Sequence, residues 1–276
     1  MPVSFSEYQK LINPAKKILL IYGEKARFPA VAAATSFYLW LVGLDKQVTL
    51  ACAAPALVEF CTLVAINKVT NSLPRENLVI TIPYGEGKID KVLSDLDEAH
   101  RELSLIVKPQ KHSPPLDGSL LKVSYQIPDY DLIIMIDVRS SKELSRLAGC
   151  KPHPWQQREK ILTIASSSVS APVAAICHTT LADEGFCHFT TNLFRSHQIK
   201  INADVASNLL MGLEKETDSF RQSDSAEIFE LAAWLVHQGA VRYRPDPLAV
   251  QNFMPKNHLP QNSLPAKYRE AALVSA

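Results

Sequence analysis

The stretch KILLIYGEKARFPAVAAATSFYLWLVGLDKQVTL, Lys17 to Leu50, decides the fold. Its first six residues, Lys17 to Tyr22, are a short apolar run behind Pro14, the pattern of a buried strand. Pro29 suits the first turn of a helix, where a missing N–H breaks no intrahelical bond. Ala30 to Val42 continues as an Ala-rich, almost wholly apolar helix that Gly43 ends. Gln47 to Ala51 reads as a second strand. A strand, a helix and a strand in so short a span make a βαβ unit, with parallel strands and a right-handed crossover.

Outward from this unit the same alternation continues. Asp131 to Asp137 (Asp-Leu-Ile-Ile-Met-Ile-Asp) is the clearest further strand, its apolar residues consecutive as in a parallel strand covered on both faces. Ile161 to Ala165 is a shorter one. Pro55 to Ile66 is expected to be helical, as are Gly185 to Phe194 and Ala203 to Leu213, the last capped by Asn202. Asp224 and Glu227 make a capping-box-like start to a final helix. In that helix Ile228, Leu231, Ala232 and Leu235 share a face, and Gly239 closes it. Residues 68–130 differ. Leu78 to Ile82, Leu103 to Val107 and Leu120 to Tyr125 are strand-like between Pro and Gly turn signals, and together they predict a β-rich insertion. Asp90 to Glu102 is rich in helix formers and has a helix as its alternative reading. The whole predicts a doubly wound, mostly parallel α/β sheet with helices on both faces, spanning 1–240. A Pro-rich tail or linker follows at 241–276, with no complete second domain. Ligands in such sheets sit at the carboxyl ends of the strands, so the loops after Ile21, Ile136 and Ile164 are the places to inspect.

Composition narrows the function classes. Of 276 residues 47% are apolar and 21% charged, with a formal net charge of +1. A balance so near zero gives no electrostatic case for nucleic acid or an acidic membrane as partner. The run Phe28 to Leu44 is interrupted by Thr35 and Ser36 and is short for a membrane span. The N-terminus lacks a signal-peptide layout. Five cysteines without CxxC spacing fit reduced thiols in a cytoplasm.

Three stretches resemble the DHH phosphoesterase family. Leu209 to Ala240 carries Gly212, Thr217, Ser219, Phe220 and Arg221 where family members have a Gly-Ile-x-Thr-Asp-Thr-Gly-Ser-Phe-Arg-like run. Tyr130 to Gly149 is similar to the family's strand ending in aspartate, and Lys17 to Leu50 to its opening βαβ unit. The resemblance implies an architecture in which Asp and His side chains hold two Mn²⁺ or Mg²⁺ ions, hard cations suited to such ligands. The ions activate water and steady the leaving oxygen of a nucleotide, oligonucleotide or polyphosphate substrate.

The departures fall on the ligands. Where the family has a His and then two Asp after its first strand, this chain has Gly23, Arg27 and Pro29. Where the name-giving Asp-His-His belongs, it has Ala165, Ser166 and Ser167. Asp137 remains, Glu216 stands for the last Asp, and the following Gly has become Asp218. Asp137 and Glu216 are the remnant metal positions, and Ser219 and Arg221 the ligand-binding candidates. Each has a bland alternative: Asp137 caps a helix or binds Arg146, Glu216 and Asp218 form a solvated helix-end pair, and Arg221 forms a structural ion pair. With unshielded carboxylates facing a phosphate, the family reaction is disfavoured. The expectation is therefore a non-catalytic binding or regulatory relative that takes a protein partner or a nucleotide-like ligand. No cofactor is expected, with Mn²⁺ or Mg²⁺ needed only if activity survives, and a homodimer is compatible. Two other readings stay open: an enzyme with a rebuilt metal site around Asp137, Glu216 and Asp218, and a scaffold subunit.

Other motifs carry less. Cys177-His178 and Cys187-His188, and Cys150 with His153, offer zinc-type ligands without a finger's spacing. Ser166 to Ser168 reads as a polar loop, and Gly85 and Gly87 as a hairpin turn lacking the ending of a phosphate loop.

Overall fold

The computed structural model describes residues 5–83, 89–113, 116–148, 160–166, 177–181, 184–221 and 225–242. The turn at Gly85 and Gly87, the Cys150–His153 pair, Ser167, Ser168 and the tail from 243 lie outside these residues.

The βαβ unit is present as read. Strand β1 (Lys17–Tyr22) leads into helix α2 (Phe28–Val42), with Pro29 in its first turn, and then to β2 (Gln47–Ala51). Helix α1 (Phe5–Ile12), not anticipated, precedes it. The central sheet has five parallel strands in the order β2-β1-β7-β8-β9, where β7 is Leu132–Ile136, β8 is Ile161–Ser166 and β9 is Cys177–Leu181. The strand order reverses between β1 and β7. Their carboxyl ends therefore flank the crevice where open α/β sheets place their ligands.

Alternate residues of each strand serve two cores. Ile18, Leu20, Ile134, Ile136 and Ile164 point to one face, covered by α2 and by α5 (Ala203–Glu216), with α4 (Phe186–Ser196) and α6 (Ala226–His237) completing that layer. Leu19, Ile21, Ile133, Met135 and Ile161 point to the other, covered by α3 (Ser141–Ala148) through Leu144 and Leu147. Asn202 caps α5, its Oδ1 accepting from the Val205 N–H at 2.9 Å. Gly212 lets α5 approach its neighbours, for a Cβ there would lie 2.1 Å from Cys187 Sγ and 3.0 Å from Ala32 Cβ.

Residues 55–66 are not the expected helix. They carry a 3₁₀ turn at Val58–Phe60, and a second turn follows at Ile66–Lys68. The cause is a tertiary contact. The fully buried Asn208 accepts from the Val64 N–H (2.9 Å) and donates to the Val64 carbonyl (3.0 Å) and to Thr35 Oγ1 (3.0 Å). Both backbone groups of Val64 are thereby held by α5, and Ala65 turns to a positive φ of 68°. The insertion forms two antiparallel ribbons. One pairs β3 (Asn77–Thr81) with β6 (Lys122–Gln126), and the other pairs β4 (Ile89–Asp97) with β5 (Glu102–Pro109). The helical alternative for Asp90 to Glu102 is thus replaced by β4 and the turn after it. The α6 N-cap is Ser225, without a side-chain cap bond, and Asp224 lies outside the described residues.

Candidate functional site

At the switch point the chain backbones nearly touch. The Gly23 N–H donates to the Ile136 carbonyl at 3.0 Å, and a Cβ on Gly23 would lie 2.0 Å from the carbonyl oxygen of Asp137. Only glycine allows this approach. Asp137 follows β7 at a positive φ of 51°, with its N–H on the Ile164 carbonyl at 2.9 Å.

Its carboxylate is buried and grips Arg139, accepting from Nε at 3.2 Å and from Nη2 at 2.9 Å. This fork is the geometry in which guanidinium and carboxylate bind best. Arg146 is not its partner, contrary to one sequence reading, because Arg146 pairs with Glu24. Burial pushes the Asp137 carboxyl above its ordinary range, and the Arg139 bonds and charge pull it down, with a weaker pull from Arg27.

Beneath this pair lies Glu143, which the sequence reading did not single out. It is 4% exposed. Its Oε1 accepts from the N–H groups of Arg139 (2.6 Å) and Ser140 (2.7 Å), and its Oε2 from the Glu24 N–H (2.9 Å). Ser140 Oγ accepts in return from the Glu143 N–H at 3.4 Å. This is a capping box at the start of α3, legible as Ser140-Ser-Lys-Glu143. It also ties the loop after β1 to the loop after β7.

Glu216 is not a solvated helix-end residue. Its carboxylate accepts from the N–H groups of Cys187 (2.8 Å) and His188 (3.0 Å), and so caps the N-terminus of α4. A helix start favours an anion there. The carboxylate lies where a Cβ on Gly185 would fall, 2.0 Å from its Cδ. Burial pushes Glu216 up, and the two N–H groups oppose it. Cys187 is fully buried and donates its thiol to the Pro29 carbonyl at 3.2 Å. Burial holds that thiol well above its usual range, which makes it a poor metal ligand. His188 Nε2 is buried 3.6 Å from Glu227 Oε1, with no hydrogen-bond partner among the described residues. The side chains of Cys177 and His178 lie outside the described set.

Asp218, Ser219 and Phe220 are three successive non-glycine residues at positive φ (49°, 58° and 68°). The Ser219 N–H bonds the Glu214 carbonyl (2.6 Å), the Phe220 N–H bonds Thr217 Oγ1 (3.0 Å), and the Arg221 N–H bonds the Asp218 carbonyl (3.2 Å). These N–H groups are engaged internally, so the exposed Asp218, Ser219 and Arg221 side chains are what the turn offers outward. A left-handed L-residue costs about 1 kcal/mol. Replacing Asp218 with glycine is expected to stabilise the protein by about 0.5–1 kcal/mol, seen as a higher urea midpoint at unchanged slope. A lower midpoint would show that the Asp218 side chain supplies a contact glycine cannot.

A divalent ion does not fit this donor set. Asp137 is neutralised by Arg139, Glu216 is held by α4, and Gly23, Arg27, Pro29, Ala165 and Ser166 offer no carboxylate, imidazole or thiolate. Among the described residues no three His, Cys, Asp or Glu side chains converge.

Neither a family model nor a curated protein matches the chain. Among solved structures it is similar to an exopolyphosphatase-related protein from Bacteroides fragilis, with a TM-score of 0.57 at 13% identity. The match covers 86% of this chain and 56% of that one, so the chain spans about half the length of that neighbour. The fold is thus the α/β fold of an exopolyphosphatase-related protein. Among the described residues no helix is long and apolar enough to cross a membrane.

Proposed function

We propose that this protein is a non-catalytic relative of the DHH phosphoesterases, a binding or regulatory module on their fold. The observation that carries the reading is the fate of the two surviving acids. Asp137 is neutralised by a bidentate Arg139, and Glu216 is consumed as the cap of α4. A metal ion would have to strip Arg139 from one and two backbone donors from the other. Charge-assisted bonds of this kind contribute about 1.5–3 kcal/mol each, and leaving their partners unpaired adds to the loss. Arg27, whose positive charge acts on Asp137, sets further repulsion against a cation. The fold shared with an exopolyphosphatase-related protein supports the scaffold half of the proposal, and the exposed Arg221 and Ser219 are its candidate contacts for a nucleotide-like ligand.

The test is calorimetric titration of the metal-stripped protein with Mn²⁺, beside an assay on a short oligonucleotide and on polyphosphate. No heat of binding up to millimolar Mn²⁺ and no metal-dependent hydrolysis are expected. Micromolar binding that Asp137→Ala abolishes would overturn the proposal in favour of a rebuilt metal site.

A further inference from the structure

The β4–β5 ribbon stands out from the rest of the molecule. All nine residues of β4 are exposed, and so are all but one of the eight in β5. The pairing register sets Val92 opposite Val107, Ser94 opposite Leu105 and Leu96 opposite Leu103. Residues two apart share a face, so one face of the ribbon is an apolar stripe. That stripe is open to solvent, with Val92 at 59%, Leu96 at 65% and Leu103 at 61% exposure. A two-stranded ribbon that buries neither face is marginal in water, and an exposed apolar patch of this kind marks an interaction surface.

The charges on the opposite face, which flank Leu93 and Ile106, say what pairs with the ribbon's free edge. The register opposes Lys91 to Lys108 near the root of the ribbon and Asp97 to Glu102 near its tip. Like charges directly opposed across a strand pair are destabilising, and here both charged pairs are alike. Asp97 gains some relief from His100, whose Nδ1 lies 2.8 Å away. Asp90 near the root and Arg101 at the tip are the charges against the trend. A ribbon basic at one end and acidic at the other is self-complementary when reversed.

We propose that β5 pairs antiparallel with β5 of a second copy of this chain, across a two-fold axis at Leu105, forming a four-stranded sheet. In that register Glu102 meets Lys108 of the mate, Leu103 meets Val107, Ser104 meets Ile106 and Leu105 meets itself. Each charged row then reads Asp97, Glu102, mate Lys108, mate Lys91, and this happens twice, as an isologous interface requires. The two apolar stripes join into one continuous face. The free N–H and C=O groups of the edge strand find partners by the same step. An unrelated partner would have to match this polarity by coincidence, whereas a second copy matches it by symmetry.

Sedimentation of the full chain at micromolar concentration is expected to show a dimer. Glu102→Lys sets three lysines in each row and is expected to raise the dimer dissociation constant at least tenfold. Adding Lys108→Glu to that variant restores opposite charges and is expected to bring the dimer back, which a merely misfolded ribbon would not do. Register is read separately in a Cys61→Ser background. Leu105→Cys should form an intermolecular disulfide on mild oxidation, since directly opposed residues lie about 4.5–5.5 Å apart, within disulfide reach. Leu103→Cys, opposed to Val107, should not. A monomeric chain, a dimer indifferent to Glu102→Lys, or cross-linking through position 103 and not 105 would each overturn the proposal.

Discussion

Gly23→Ala is expected to destabilise the protein by about 3 kcal/mol, the upper part of the range for forcing atoms into a packed site. The added Cβ would stand 2.0 Å from the Asp137 carbonyl oxygen. That oxygen is backbone and cannot rotate away as the end of a side chain would. Relief requires β1 and β7 to separate at their carboxyl ends, which strains the Gly23 N–H to Ile136 bond and the buried residues on either side. For a domain of this length the loss corresponds to a fall in Tm of about 6–12 °C. Gly118→Ala is the control, because a Cβ there meets nothing within 4 Å, and it should change stability by less than about 0.5 kcal/mol. Equal behaviour of the two variants would mean that the strands are not closed at this point. The prediction also bears on function. On the proposed relation to the DHH phosphoesterases, which sets a metal-binding histidine at this place, Gly23→His is expected to unfold the crevice and not to rebuild a site, because the position has no room for a side chain.

What could be read from the residues follows how locally each element is determined. β1, α2, β2 and β7 were legible because their apolar runs are dictated by their own composition and by burial on both faces. Residues 55–66 were not, since the contact that bends them comes from Asn208, far along the chain. α3 was missed although Ser140 and Glu143 spell a capping box, because the helix is short and its apolar positions are few. In the crevice, the end of an apolar strand drew attention to Asp137, but its partner could not be read. The left-handed turn at Asp137 brings Arg139 back onto the carboxylate, a geometry that spacing alone does not reveal, and Arg146 was the natural but mistaken candidate. Glu216 was read as solvated because it sits at a helix end. Its burial depends on Gly185, whose missing side chain is the space the carboxylate fills.

Glu143→Ala is expected to cost about 3–4 kcal/mol, with about 1–3 kcal/mol for each buried donor left without a partner and some of that relieved by entering water. Three donors lose their acceptor at once: the N–H groups of Glu24, Arg139 and Ser140. Glu143→Gln separates charge from geometry. An amide oxygen placed at Oε1 keeps Arg139 and Ser140, while the amide nitrogen now faces the Glu24 N–H, so about half of the alanine penalty should remain. Arg146→Ala removes the neighbouring ion pair with Glu24. That arginine side chain is 61% exposed, and surface pairs contribute about 0–1 kcal/mol, so this variant should be nearly neutral. The ordering of the three is the informative result. If alanine at 143 cost no more than alanine at 146, the two loops would be held by surface charge and not by the buried carboxylate. Hydrogen exchange gives the local view. In Glu143→Ala the amides of Glu24, Arg139 and Ser140 should lose protection together. The Asp137–Arg139 fork uses side-chain donors that Glu143 does not touch, so Mn²⁺ binding is expected in none of the three variants.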